Sequence, residues 1–277
     1  MGNTSVKDIS KEKFSNVNPW VIDEKTVIGT ENIPLVCFVT KANMLYMVDV
    51  FIKRRFNFKV TDYAGNTPLH YAADKKTPEM TEKMLEQGLD PMVTNRHGQT
   101  PLLVAVHTKR YHNVKLLSEA MFVCDGKGNG PIHYAIQQSD ESMLRLLIEN
   151  TPYLSWWEIA KGHTDATSFH LNYFCDSAMF SPLSLAVVTL NYKMASCLIE
   201  MGADNSVECN GKTPKSILAK IGSRLKYGGI FPTKRCTRED VLKMWGILSS
   251  DIDVYRNVTE NNTPYTGLIS GTHKYLT

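Results

Sequence analysis

The phase of its prolines constrains this chain more than any other feature. Pro34, Pro68, Pro101, Pro131, Pro182 and Pro214 each precede a run of small and apolar residues, and their separations are 34, 33, 30, 51 and 32 residues. Proline has a preset φ and no N–H, so it opens a helix at no hydrogen-bonding cost. The recurrence therefore predicts a series of proline-led helices in units of about 33 residues, one spacing being enlarged. The stretch Asp62–Thr94 shows what one unit holds. A turn at Asp62 and Gly65 leads to Thr67, whose hydroxyl suits a helix N-cap. Pro68-Leu69-His70-Tyr71-Ala72-Ala73 follows, with a slim apolar face at Leu69, Ala72 and Ala73 that admits a close neighbour. A second apolar run at Met80, Met84 and Leu85 ends at Gly88, a residue suited to a left-handed helix stop. One such unit leaves an apolar flank uncovered, so copies must lie beside it.

The run Thr67-Pro68-Leu69-His70-x-Ala72, placed after a turn, resembles the signature of the ankyrin-repeat family. That resemblance implies an all-α ankyrin-repeat solenoid of stacked helix-turn-helix units with β-turn or hairpin tips. About six repeats extend from Ile33 to Ile221, with an insertion near 155–178. The first is degenerate, as an end repeat should be (Ile33-Pro34-Leu35-Val36-Cys37-Phe38, then Met47, Val50 and Phe51). The third carries Thr100-Pro101-Leu102-Leu103, and the fourth Gly130-Pro131-Ile132-His133. Gly130 there replaces a capping Thr, so its helix start is expected to be less well fixed. The fifth carries Ser181-Pro182-Leu183 and Gly202-Ala203-Asp204, and the sixth Thr213-Pro214-Lys215, whose lysine suits a terminal repeat facing water. The organisation read from this is a flexible arm over 1–27 and a repeat domain over 28–222. A basic helical cap over 223–250 and a flexible tail over 251–277 complete it.

Composition agrees with a soluble globular chain, since 43% of its 277 residues are hydrophobic, 21% are charged, and the net charge is +3. No apolar run reaches the roughly 18 residues that span a bilayer, and the N-terminus lacks a secretory hydrophobic segment. Six cysteines without a C-x-x-C pair point to reduced thiols in a cytoplasmic or nuclear setting. Met1-Gly2-Asn3-Thr4-Ser5 approaches the N-myristoylation pattern at Gly2, but Val6 stands where Ser or Thr belongs. A polar arm is the simpler expectation.

Catalytic templates are missing from the sequence: there is no Walker loop, no H-E-x-x-H, no nucleophile elbow and no kinase set. The Gly-rich Asp125–Gly130 falls in phase with the other repeat turns and follows no strand, so it reads as a turn. His70 and His133 occupy the Thr-Pro-Leu-His position, where the resemblance implies hydrogen bonding within and between repeats. The enzyme alternative rests on His163, Asp165, His170 and Cys175 in the insertion, whose spacing matches no template. No cofactor, metal or small-molecule substrate is expected.

What remains is a surface for another protein. The resemblance implies a concave groove lined by turn tips and first helices. Its variable positions here are Tyr63, Asn66, Asp74, Lys75, Arg96, His97, Gln99, His107, Thr108, Lys127, Asn129, Gln137 and Gln138. Trp156 and Trp157 in the aromatic insertion either pack on the repeats or anchor a partner. The expected function is a non-catalytic adaptor, scaffold or inhibitor binding a partner protein of unspecified identity. An alternative is attachment to nucleic acid or an anionic membrane through the basic 212–243 segment, with Lys226, Lys234, Arg235 and Arg238 as its patch.

Overall fold

A computed structural model of the chain describes residues 27–28, 33–151, 165–172, 180–208, 211–226 and 238–248. The chain divides into two compact units, the first holding residues to Tyr134 with Glu149–Pro152 and the second the remainder, so the division falls inside two helices, Pro131–Gln137 and Glu141–Glu149. The elements are all helical apart from a short antiparallel pair, β1 (Val27–Ile28) with β2 (Ile33–Pro34), in which Val27 faces Pro34 and Ile28 faces Ile33. The fold class is an all-α ankyrin-type stack of paired helices.

In the first unit the pairs are α1 (Leu35–Lys41) with α2 (Leu45–Lys53), α3 (Pro68–Ala73) with α4 (Glu79–Glu86), and α5 (Pro101–His107) with α6 (Tyr111–Leu116). The first helices α1, α3 and α5 pack in sequence, and α4 packs on α6 behind them. Helix α7 (Pro131–Gln137) begins in the first unit and ends in the second. Leu35, Leu69, Ala72, Leu102, Leu103 and Ala105 are wholly buried between the first helices, while Val48, Phe51, Met84, Val114 and Leu117 fill the space behind. Helices of six to nine residues are marginal alone, so these faces, not intrinsic propensity, hold each helix in place.

Pro68, Pro101, Pro131, Pro182 and Pro214 each occupy the first residue of a helix, as the phase predicts, but Pro34 does not. It ends β2 and serves as N-cap of α1, with ψ 140, so Leu35 takes the first helical position. The first repeat is thus shifted by one residue against the proline count, and Leu35 precedes Pro68 by the family period of about 33. The shift places Cys37 where the second repeat has His70 and the third Leu103.

Hydroxyls cap the proline-led helices. Thr100 Oγ1 accepts the Leu103 N–H at 3.2 Å, Ser181 Oγ that of Ser184 at 3.2 Å, and Thr213 Oγ1 that of Ser216 at 3.1 Å. Where Gly130 lacks a hydroxyl, the His133 Nδ1 accepts the Gly130 N–H at 3.1 Å and ties the helix start from within.

Asn113, at the third position of α6, is wholly buried where the other second helices carry Met47, Met80, Met143 and Met194. Its amide donates to the Ala73 and Lys75 carbonyls, each at 2.9 Å. Helix α3 is a residue shorter than α1 and α5 and ends in a run of bends, leaving carbonyls that a methionine could not satisfy. Arg110 completes the seal, donating to the Asp74 carbonyl at 2.8 Å and pairing with its carboxylate at 3.4 Å.

The second unit repeats the plan. Helix α8 (Glu141–Glu149) lies in it up to Ile148, followed by α9 (Ala166–Asn172), α10 (Pro182–Val188), α11 (Tyr192–Glu200), α12 (Pro214–Lys226) and α13 (Arg238–Leu248). Helix α10 packs on α11 and α12, and α13 packs on both α12 and α11. Helix α13 therefore holds the position of a second helix partnering α12, with Met244 and Leu248 wholly buried. It is fixed by Tyr192, whose hydroxyl donates to Asp240 at 2.6 Å, and by Asn205, whose amide donates to the Leu248 carbonyl at 2.7 Å. Of the insertion, α9 packs on α10 with His170 and Leu171 buried, and Asn172 Oδ1 accepts the Asp204 N–H at 2.7 Å. The described part of the insertion thus lies on its own repeats.

Candidate functional site

The turn tips of the first unit are built on one device. Each begins with a short polar side chain that folds back on its own backbone: Asp62 Oδ1 accepts the Asn66 N–H at 2.7 Å. Asn95 Oδ1 accepts those of His97 and Gln99 at 2.9 and 3.0 Å, and Asp125 Oδ1 those of Lys127 and Asn129, both at 2.8 Å. Gly65, Gly98 and Gly128 take the left-handed position that closes these turns. Successive tips are then linked to one another. The Arg96 N–H donates to Ala64 O at 2.9 Å, the Gly126 N–H to His97 O at 3.0 Å, and the Asn95 amide to Asn66 Oδ1 at 2.9 Å. Gly98 has no room for a side chain, because an added Cβ would sit well inside 3.0 Å of the Gly126 backbone nitrogen.

First-helix residues brace the tips. Tyr71 and Tyr134 each donate a 2.5 Å hydrogen bond to the second carboxylate oxygen of the Asp nine residues earlier, Asp62 and Asp125. Burial alone would raise the Asp62 carboxyl, but hydrogen bonds from Tyr71, the Asn66 side chain, and the Asn66 and Ala64 N–H groups outweigh it and hold the carboxyl below the ordinary range. Burial and the bond to Asp125 push the Tyr134 hydroxyl up to about 12. Phenol and carboxylate are in this way locked as donor and acceptor.

His70 joins one repeat to the next. Its Nδ1 accepts the Thr67 N–H at 3.1 Å, which leaves Nε2 to donate to the Gln99 carbonyl at 2.8 Å. The backbone N–H can only donate, so it fixes the tautomer. Desolvation lowers the His70 ring below the usual histidine value, favouring the neutral form that this link needs. Cys37 holds the equivalent link one repeat earlier, its thiol 3.9 Å from the Asn66 carbonyl. Burial, reinforced by Asp62, pushes that thiol up to about 12, so it is a packing group and not a nucleophile.

The residues singled out in the sequence divide on this frame. Tyr63, Arg96, His97 and Lys127 are exposed on the tips. His107, also exposed, meets the Tyr134 ring edge-on at 5.9 Å. Asn66 spends its side chain on Asp62 and Asn95, and Gln99 receives the Asn95 amide at 3.4 Å, so both are ladder groups. Asp74 is held by Arg110, Lys75 donates to the Lys41 carbonyl at 2.7 Å, and Thr108 donates to the Val104 carbonyl at 2.9 Å. Asn129 is half-buried beside its turn, and Gln137 and Gln138 belong to the second unit. Trp156, Trp157, Lys234 and Arg235 lie outside the described residues, as do the side chains of Lys226 and Arg238. Within the 212–243 segment, Lys212 lies 6.0 Å from the Phe180 ring centroid and Lys243 pairs with Glu239 at 3.1 Å.

Residue counting missed Lys41, Tyr71, Val104 and Tyr134. The last three stand three residues after Pro68, Pro101 and Pro131, which puts them on the outer face of each first helix. Lys41 lies over the Tyr71 ring at 5.5 Å. That common offset from proline was the available signal. Among the described residues, no cluster of His, Cys, Asp and Glu could hold a metal, and no helix is long and apolar enough to cross a membrane.

Comparison with known proteins agrees with this geometry. The family model described as Ankyrin repeats (3 copies) matches residues 35–121 and 74–156. The chain is similar to the nuclear factor NF-kappa-B p105 subunit of Gallus gallus (29% identical over 60% of this chain and 16% of that protein). It is also similar to ankyrin repeat and SOCS box protein 5 of Oryctolagus cuniculus (36% identical over 30% of this chain and 26% of that protein). A putative ankyrin repeat protein of Rickettsia bellii is 24% identical over 60% of this chain and 62% of its own length. The chain thus spans well under two thirds of the first two relatives. A tandem phase of proline-led helices, tips laced by Asx turns, and a family match over residues 35–156 show that the chain carries ankyrin repeats.

Proposed function

We propose that the chain is a non-catalytic protein-binding module, acting as an adaptor, scaffold or inhibitor, that holds a partner protein against the tips and first helices of its first unit. Ankyrin repeats are generally protein–protein interaction modules. The observation that carries the proposal for this chain is how the tip polar groups are used. Asp62, Asn95, Asp125 and Asn66 spend their side chains on the frame, whereas Tyr63, Arg96, His97 and Lys127 stay exposed at neighbouring tips. A surface braced in this way loses little conformational freedom when a partner docks. Tyrosine and arginine supply contact area and directional hydrogen bonds there. A cytoplasmic or nuclear setting goes with the proposal, supported by six cysteines without a C-x-x-C pair.

The test is affinity capture from cell extract with the intact chain and with a Tyr63→Ala, Arg96→Ala, His97→Ala variant, quantified by mass spectrometry, with circular dichroism as a folding control. The variant is expected to lose the proteins retained by the parent chain. Equal recovery by two equally folded proteins overturns the proposal.

A further inference from the structure

Exposed cations occur on both sides of the first unit, but its exposed carboxylates are absent from the described tips and first helices. The tips, the first helices and the loops that follow them expose Lys41, Lys76, Arg96, Lys109 and Lys127, with His97 and His107 among them. The acidic residues on that side are already committed: Asp62 and Asp125 are buried and take tyrosine hydroxyls, and Asp74 pairs with Arg110. Exposed carboxylates lie elsewhere, at Glu79, Glu82 and Glu86 on α4 and at Asp90 and Glu119 in the segments that follow α4 and α6, alongside the exposed Lys53 of α2 and Lys115 of α6, and Asp49 pairs with Lys83. The binding face is thereby left cationic although the whole chain carries only +3.

From this we infer that the tip row of the first unit takes an extended, acidic peptide segment, with Arg96 and Lys127 as its anchoring cations. The inference rests on the protein-binding proposal and adds the chemistry of the partner. Arg96 and Lys127 stand on adjacent tips joined by the Gly126 N–H to His97 O bond. Packed helices lie about 8–10 Å apart, so Arg96 and Lys127, on the third and fourth tips, are set about that interval apart. An extended peptide rises about 3.3 Å per residue, so a carboxylate at every third position meets that spacing. The tip backbone bonds internally, so the peptide is held by its side chains and not as an added strand. Single-stranded nucleic acid fits less well, because it needs open aromatic faces for its bases. Tyr71 lies under Lys41 and Tyr134 meets His107, each with its hydroxyl bound to a carboxylate, which leaves Tyr63 as the exposed ring on the tips.

The experiment is fluorescence anisotropy on the full chain with three labelled probes: a glutamate–serine–glycine repeat peptide, its lysine counterpart, and an oligothymidine. It is repeated with Arg96→Glu, Lys127→Glu and with Lys53→Glu, Lys115→Glu, which makes the same change in net charge on exposed second-helix residues. The acidic peptide is expected to bind, to weaken as salt rises, and to lose about tenfold in affinity on reversing Arg96 and Lys127 but under about twofold on reversing Lys53 and Lys115. Absence of binding by the acidic peptide, equal loss in the two variants, or tighter binding of the oligothymidine overturns the inference. If the Arg96, Lys127 reversal leaves peptide binding intact while the Tyr63, Arg96, His97 variant still loses its captured proteins, the acidic-partner inference falls and the protein-binding proposal stands.

Discussion

Gly98 offers the sharpest test of how the repeats are held together. Its φ is +74 and that of Gly88 is +72, so an alanine at either site meets the same left-handed strain, about 1–2 kcal/mol. Their surroundings differ. A Cβ on Gly88 meets nothing within 4 Å, whereas one on Gly98 runs into the Gly126 nitrogen and the Asp125 carbonyl carbon, both backbone atoms of the next tip. Overpacking of this kind costs about 1–3 kcal/mol. Displacing the tip also stretches the Gly126 N–H to His97 O bond, worth about 0.5–1.5 kcal/mol net. Gly98→Ala should therefore destabilise by about 3–5 kcal/mol and Gly88→Ala by about 1–2 kcal/mol. Urea unfolding followed by far-UV circular dichroism reads the difference as a larger fall in midpoint for Gly98→Ala. Equal midpoints for the two variants would refute the claim that adjoining tips press on one another.

Three further outcomes follow from the same frame. Tyr71→Phe removes the hydroxyl that Asp62 accepts and should cost about 1.5–3 kcal/mol in urea unfolding; a variant as stable as the parent would show that the phenol is not bracing the turn. His70 has a folded-state pKa below its ordinary value, so its contribution is complete above about pH 6.5 and is lost as pH falls through the lower folded value. His70→Leu, which copies Leu103 of the third repeat, should flatten the melting temperature between pH 7 and 5, and an unchanged pH slope would count against the neutral-ring link. Cys37, buried and pushed up to about 12, should resist iodoacetamide in the native protein and react on unfolding; peptide-level mass spectrometry showing rapid native labelling would contradict its assignment as a packing group.

The stack was legible because its signals are local. Proline at a helix start, a small apolar face and a left-handed glycine each act within one unit, and their phase survives without knowledge of neighbours. The one-residue shift at Pro34 was not legible, because proline is equally at home as an N-cap in extended geometry and as a first helical residue. Only burial distinguishes the two, with Leu35, Cys37 and Val39 taking inward positions. Among candidate site residues, exposure at Tyr63, Arg96, His97 and Lys127 followed from their place on the turns. Asn66 and Asp74 looked equally available, yet each is taken up by a group outside its own turn: Asn95 from the next tip and Arg110 from the next helix pair.

Asn113 shows why long-range satisfaction escapes a reading of single units. Taken alone, a polar residue where four other second helices have methionine looks like a surface substitution. Its reason lies in the preceding repeat, where α3 stops early and leaves the Ala73 and Lys75 carbonyls facing inward. Leaving both carbonyls without a donor would cost about 1–3 kcal/mol each, which offsets the about 1.5–3 kcal/mol of methionine burial given up, so the shortened helix and the buried asparagine form one feature distributed over two repeats. Each helix-end irregularity in such a stack sets a requirement on the next unit, and the residues that meet it are fixed by the frame. The exposed tip positions carry no such requirement, and for that reason it is there, at Tyr63, Arg96, His97 and Lys127, that sequence is left to choose a partner.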